Sequence, residues 1–281
     1  MSEQTASPVR RDPVASLRQG CERPWEVDID PFKVAPNTYY VGNSWVGCYL
    51  LSSSEGLILI DSTMQPQVHI VLENIRKLGF DPKDIKLLLL SHMHYDHVGG
   101  ARVITELSGA RIMLSREDHD FLTQRPDMLF DFGYPYGEFN VDDYYDDAKP
   151  VRLGDREITT VLTPGHTPGT TSFFFDATSD DDKTYRCGLH GGIGLNTLSN
   201  AFLKEHSLPK SYQSDYLQSL HALRDMPIDI ALGSHPIHVR MLDRVSEIAE
   251  DHNPFYDPDL WSRFIDDLIE KAKIEFAKDS E

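Results

Sequence analysis

Apolar residues recur along this chain with two different periods. Between residues 38 and 61, β-branched and aromatic runs at 38–41, 46–51 and 57–61 are separated by Gly42-Asn43 and Glu55-Gly56. That pattern predicts three short strands joined by turns. Val68, Val71, Leu72, Ile75 and Leu78 then recur at helical spacing, and Gly79 closes that helix. Residues 86–90 read as a strand buried on both faces, apolar from Leu87 onward, and end at Ser91-His92. A helix from about Gly100 (Val103, Ile104, Leu107), a strand at 111–114 and a short helix after Ser115 follow. Strand signals resume at 158–162, 170–175 and 185–189. Residues 214–226 read as a helix and 228–232 as a strand. The last helix, 261–276, is strongly amphipathic, with Trp261, Phe264, Ile265, Leu268, Ile269, Ala272 and Phe276 on one stripe. That stripe suits packing on its own domain or on a second subunit.

Two stretches break the pattern. Residues 1 to about 30 are polar and carry Pro8, Pro13 and Pro24, which predicts an extended N-terminal arm. The remainder, 31–281, is expected to form one domain, because no linker-like break interrupts it. Strands in both halves, each followed by helices, imply an α/β (α+β) chain with two sheets face to face and helices outside. Residues 125–150 are rich in Pro, Gly and aromatics and include an acidic run from Asp142 to Asp147. A loop this long inside a compact domain is usually functional or disordered. Phe130, Phe132, Tyr134 and Tyr136 suit either a flap over a site or packing beneath a surface loop. The acidic run lacks the twelve-residue ligand pattern of a calcium loop and reads as a solvated face.

Charge narrows the partners. Lys and Arg number 27 against 45 Asp and Glu, a formal charge of −18, so a nucleic acid would be repelled before contact. No apolar run approaches the roughly 18 residues of a membrane span. A small-molecule substrate remains, with no nucleic-acid or membrane partner expected. Arg10-Arg11 precede no apolar run, so a cytoplasmic location is expected, with a trimmed secreted form as the alternative. Cys21, Cys48 and Cys187 form no C-x-x-C spacing and read as buried thiols of a reducing compartment.

Candidate chemistry concentrates in the histidines. Ser91-His92-Met93-His94-Tyr95-Asp96-His97 places three imidazoles and a carboxylate within six positions, just past a buried strand. His166, in Thr163-Pro164-Gly165-His166-Thr167-Pro168-Gly169, and His235, in Gly233-Ser234-His235-Pro236, also follow strands. Loops at strand ends are where a scaffold presents chemistry. Neutral imidazole and carboxylate are what zinc takes in the absence of thiolates, with a position left open for water. Past a strand, His92 and His94 can point the same way while Met93 points elsewhere. Asp96 and His97 lie on the turn into the next helix and can reach an adjacent ion. Six ligands divided three and three would leave paired metals a shared water to activate. His69, His119, His206, His221, His238 and His252 stand alone and read as ordinary surface residues.

The segments HMHYDHVGG, TPGHTPGTTSF and GSHP, in that order, resemble the metallo-β-lactamase superfamily. Residues 37–42, 56–61, 74–80 and 84–86 are most similar to class B β-lactamases of the third subclass, and the resemblance spans roughly residues 30 to 240. It implies a four-layer αβ/βα metallo-β-lactamase sandwich with metals at one rim. It implies that His92, His94 and His166 hold one zinc and that Asp96, His97 and His235 hold a second. Iron or manganese are the other metals such ligands accept. Many relatives outside the lactamases carry a bridging Asp near residues 185–189, where this chain has no carboxylate. The lactamases usually have a small polar residue where this chain reads His190-Gly191-Gly192.

The implied reaction is hydrolysis of a β-lactam-like cyclic amide by a metal-bound hydroxide, with Asp96 as the catalytic residue. Tyr134, Tyr136 and His190 are the candidate substrate contacts. Two other functions remain open at this point. One is a cytoplasmic metallo-hydrolase of another small ester, lactone or thioester. The other is a metal-binding regulatory module without turnover.

Overall fold

The computed structural model describes residues 13–278. Its first sheet contains β1 (Phe32–Ala35), β2 (Thr38–Tyr40), β3 (Tyr49–Ser53), β4 (Gly56–Ile60), β5 (Ile85–Leu89), β6 (Arg111–Leu114) and β7 (Asp143–Tyr144), hydrogen-bonded in that order. The second contains β8 (Val151–Leu153), β9 (Arg156–Leu162), β10 (Thr171–Thr178), β11 (Thr184–His190) and β12 (Ile230–Gly233), in the reverse spatial order. The helices are α1 (Pro13–Glu22), α2 (Val68–Lys77), α3 (Tyr95–Val98), α4 (Ala101–Ser108), α5 (Arg116–Gln124), α6 (Asn200–Glu205), α7 (Ser211–Leu223) and α8 (Leu260–Phe276). This is the layered α/β sandwich that the hydrophobic pattern implies. No helix among the described residues is long and apolar enough to cross a membrane.

The alternation of side chains along a strand explains why β4 and β5 read as unbroken apolar runs. Ile58, Ile60, Leu87 and Leu89 face the core shared with the second sheet. Leu57, Leu59, Ile85 and Leu88 face a separate cluster under α1, α2 and α4. Both faces are therefore buried, with Lys86 of β5 the residue that reaches solvent. Phe174 of β10 turns outward against Trp261 of α8, with ring centroids 5.7 Å apart. Phe173, beside it, meets Tyr145 across the sandwich at 5.5 Å. The apolar stripe of α8 thus packs within its own chain, and the Trp261 indole donates to the Leu223 carbonyl at 2.8 Å.

Some expectations need correction. Residues 13–22 are not part of an extended arm but form α1; residues 1–12 lie outside the described residues. Proline is tolerated in the first turn of a helix, which is where Pro13 sits. Leu17 and Cys21, one turn apart, bury against the cluster that contains Met64. Gly20 permits the approach, since a Cβ there would lie 2.0 Å from the Gln67 amide nitrogen. β1 was hidden by its length and by its flanking Pro31 and Pro36. It closes onto β2 through a Pro36-Asn37 turn in which Asn37 takes the left-handed conformation (φ 52°).

Parallel pairing sets up the functional rim. β4, β5 and β6 are mutually parallel neighbours, as are β11 and β12. The carboxyl ends of β4, β5, β11 and β12 therefore gather at one edge of the sandwich. There the backbone of Thr171 donates to Ser91 at 2.8 Å and joins the ends of the two sheets.

Candidate metal centre

Each histidine-bearing loop leaves a strand at that edge. His94 is the residue before α3, with extended backbone (φ −68°, ψ 148°), so the chain turns sharply and returns Asp96 and His97 toward His92. The His92 and His97 rings lie 4.1 Å apart. His166, on the loop from β9 to β10, meets His94, with Nδ1 of His94 2.9 Å from Nε2 of His166. His235, just after β12, places Nε2 3.4 Å from Oδ2 of Asp96, and Nε2 of His97 lies at the same distance from that oxygen. The six side chains singled out by sequence therefore converge. The ligand atoms of His92, His94 and His166 lie within 4.8 Å of one another, as do those of His92, Asp96 and His97.

Partners outside the cluster decide which ring nitrogen faces inward. Asp61 accepts from His97 Nδ1 at 2.8 Å and from the Ser91 hydroxyl at 2.8 Å. Nδ1 of His92 lies 3.0 Å from that hydroxyl, whose proton is already directed to Asp61, so the ring donates there and keeps the Nε2 lone pair free. His166 donates through Nδ1 to the Gly194 carbonyl at 2.8 Å, and His235 through Nδ1 to the Trp45 carbonyl at 2.6 Å. Each of these four rings thus turns its Nε2 toward the cluster, the second-partner arrangement that metal-ligating histidines use. Nε2 of His97 is buried and has no hydrogen-bond partner. A buried polar atom without a partner is costly unless an ion completes it. The donor set and this orphaned nitrogen fit a metal ion of the zinc type.

The electrostatics agree. Burial, reinforced by neighbouring imidazoles, holds His92 and His94 well below the usual histidine range and brings His166 down to about 4. Burial alone would raise Asp96, yet His97 and His235 hold it well below the usual carboxylate range. His97 is the exception among the rings. Burial opposes its charge, but Asp96 and Asp61 on either side raise it to about 10. Positive charge is therefore favoured between those two carboxylates.

Other expectations fare differently. Tyr134 and Tyr136 are not brought to the imidazoles. The Tyr134 hydroxyl donates to Glu22 at 2.7 Å, and Tyr136 packs on Tyr95 and Phe139. The aromatic that reaches the site is Phe130, 5.1 Å from the His94 ring, with Phe132 and Phe202 behind it. Phe130 and Phe132 both take left-handed backbone (φ 60° and 50°), which redirects the loop between them. On the opposite side Trp45 lies 5.2 Å from His235. His190 ends β11 fully buried; its Nδ1 accepts from Gly192 at 3.3 Å, and its Nε2 is closed off without a partner. His238 is not an ordinary surface residue. Its ring lies 5.1 Å from His235 and its Nδ1 is buried without a partner. Sequence reasoning passed over Asp61, whose one signal was a carboxylate ending an otherwise apolar strand.

A family model described as the metallo-β-lactamase superfamily matches residues 46–180. Among solved structures, the native FEZ-1 metallo-β-lactamase from Legionella gormanii is 30% identical, with a TM-score of 0.80 over 89% of this chain and 96% of that one. BJP-1, a subclass B3 metallo-β-lactamase of Bradyrhizobium japonicum, is 28% identical, with a TM-score of 0.81 over 90% of this chain and 96% of that one. The N-acyl homoserine lactonase AttM of Agrobacterium fabrum is 27% identical over 209 residues, 69% of this chain. That match spans 66% of the lactonase, just under two thirds of its length.

Proposed function

Since this chain belongs to the metallo-β-lactamase superfamily, we propose that it is a metal-dependent hydrolase that opens a small cyclic amide of the β-lactam type. The convergence of six imidazole and carboxylate donors at one rim, with no carboxylate contributed by β11, carries this reading. His92, His94 and His166 hold one zinc, and Asp96, His97 and His235 hold a second. Bound there, the metals supply Lewis acidity and a water acidic enough to attack a carbonyl at neutral pH.

The chain's own residues do the rest. Asp96, whose Oδ2 is shared at 3.4 Å between His97 and His235, orients the attacking water and is the catalytic residue. Asp61 keeps His97 in one tautomer, as the Trp45 carbonyl does His235. Phe130 and Trp45 flank the donors with apolar faces that seat the substrate and shield the reacting carbonyl. Where the ring nitrogen is conjugated, the departing anion is delocalised and takes its proton from water afterwards, so no dedicated proton donor is needed among the side chains.

Likeness to the lactonase AttM favours a second substrate, a lactone ring, opened by the same residues. Penicillin and carbapenem hydrolysis by zinc-loaded protein, beside an N-acyl homoserine lactone and with Asp96→Asn as control, tests the reading. Turnover of the β-lactams that collapses in the variant is expected. Turnover of the lactone alone would overturn the amide assignment and leave the hydrolase.

A further inference from the structure

The donors of the three-imidazole group come from two loops on different sheets, and something must hold those loops in register. One side chain from outside the two loops bonds to both. Asp118, fully buried near the start of α5, accepts from the Met93 backbone at 2.8 Å, the Thr167 hydroxyl at 2.8 Å and the Gly169 backbone at 2.6 Å. Met93 lies between His92 and His94, and Thr167 follows His166. Asp118 is thus one residue removed from all three ligands and touches none of them.

Its local context makes the arrangement informative. Ser115 caps α5 by accepting from the Asp118 backbone at 3.2 Å. In a capping box the acidic residue at this position reaches back to the cap's own N–H. Here the carboxylate turns away from its helix and accepts from the two loops instead. Burial pushes Asp118 up to about 6, against the pull of its three donors. A group kept buried at that cost, and not used to cap its own helix, is tied to the loops it bridges. The contact is also close-fitted, because a Cβ on Gly169 would fall 2.4 Å from the Asp118 nitrogen and 2.0 Å from Ser115 Oγ.

We propose that Asp118 is a positioning residue that sets the spacing of His92, His94 and His166, and through it the metal affinity of that group. The inference rests on the metal-site reading above. It assigns the register of the two loops to one carboxylate rather than to the sandwich as a whole. The backbone bond from Thr171 to Ser91 also joins the two segments, but it meets the second loop five residues past His166 and the first before His92, so it holds neither His94 nor His166.

Asp118→Asn replaces one acceptor oxygen by an NH2 group that faces donors. Zinc affinity, read by competition with a chromophoric chelator, is expected to fall about 10–100-fold. The cobalt(II) absorption spectrum, which reports ligand geometry, is expected to change with it. Trp261→Phe, which removes a buried hydrogen bond far from the loops, is the stability control; its zinc affinity and cobalt spectrum stay as in the parent. If Asp118→Asn does not fold, Thr167→Val decides, because it deletes one of the three donors and leaves the carboxylate in place. A weaker zinc site in Thr167→Val supports the proposal. Unchanged affinity and spectrum in the folded variant, or in Thr167→Val where that one is used, overturn it. Failure of the parent protein to bind zinc at all would sink the metal-site reading instead, so the two failures are distinguishable.

Discussion

Asp61→Asn separates what holds the fold from what prepares the metal site. Asp61 is fully buried, takes left-handed backbone (φ 61°), and accepts from the Ser91 backbone, the Ser91 hydroxyl and His97 Nδ1, each at 2.8 Å. Asparagine tolerates the left-handed region as well as aspartate does, so the backbone stays unstrained. The amide oxygen can still accept from the Ser91 N–H, and the Ser91 hydroxyl can turn to accept from the new NH2. The remaining contact cannot be kept as it stands, because the NH2 then faces the N–H of His97. The ring escapes by moving its proton to Nε2, where it blocks the lone pair aimed at the metal.

Loss of one charge-assisted hydrogen bond costs about 1.5–3 kcal/mol, and part of it is recovered by the reversed bond. We therefore expect a metal-free protein that still folds cooperatively, destabilised by about 1–2 kcal/mol. On the proposed two-zinc reading, affinity at the weaker site should fall about 10–100-fold, in line with other outer partners of ligating histidines. Chelator competition on the purified variant measures the second quantity, and denaturant unfolding of the stripped protein measures the first. Retention of both zinc equivalents at parental affinity would refute the assignment of Asp61 as the group that orients His97.

The other predictions follow from the same geometry. His190 is held down to about 3 by burial, with His166 adding to the effect, so its folded value lies below the ordinary one. Its stabilising contribution is thus complete above about pH 6.5 and is lost as pH falls, since the unfolded chain takes up the proton first. The stability difference between the parent and His190→Leu should change by about 2 kcal/mol between pH 7 and pH 5, against the parent at the lower pH; parallel urea curves would contradict this. In Gly192→Ala the new Cβ meets the His166 ring at 2.6 Å. Titration calorimetry should show zinc bound about tenfold more weakly, and an unaltered isotherm would mean that the ring can move freely. Stripping the metals should abolish hydrolysis and lower the melting temperature, with both restored by zinc. At about 100 times its dissociation constant, zinc contributes about 2.7 kcal/mol to the stability.

Much of this protein is written in short-range pattern. The strand runs at 57–61 and 86–90 and the stripe of α8 announce themselves because the geometry that buries them has a period of a few residues. His92, His94, Asp96 and His97 were legible for a related reason. A strand end and one tight turn can gather donors that lie within six positions of each other. His166 and His235 were legible less directly, from their glycine-proline turns and from the resemblance to a family. Even α1 carried its signal, in Leu17 and Cys21 one turn apart, but the prolines around it argued for an arm.

The partners that orient those donors have no local signature. Asp61 meets His97 across 36 positions, Asp118 meets Thr167 across 49, and Trp45 meets His235 across 190. Only the parallel crossovers and the packing of one sheet on the other bring such residues into contact. The aromatic loop makes the same point. Phe130, Tyr134 and Tyr136 are alike in a linear reading, yet left-handed turns at Phe130 and Phe132 send one to His94 and the others toward Tyr95 and α1. By itself the sequence determined the layers and the candidate donors at 92–97, because burial and the gathering of donors at a strand end are satisfied by neighbours along the chain. Tertiary structure alone decided which nitrogen each ring presents and which side chains wall the site, because a buried hydrogen bond is chosen by proximity in space.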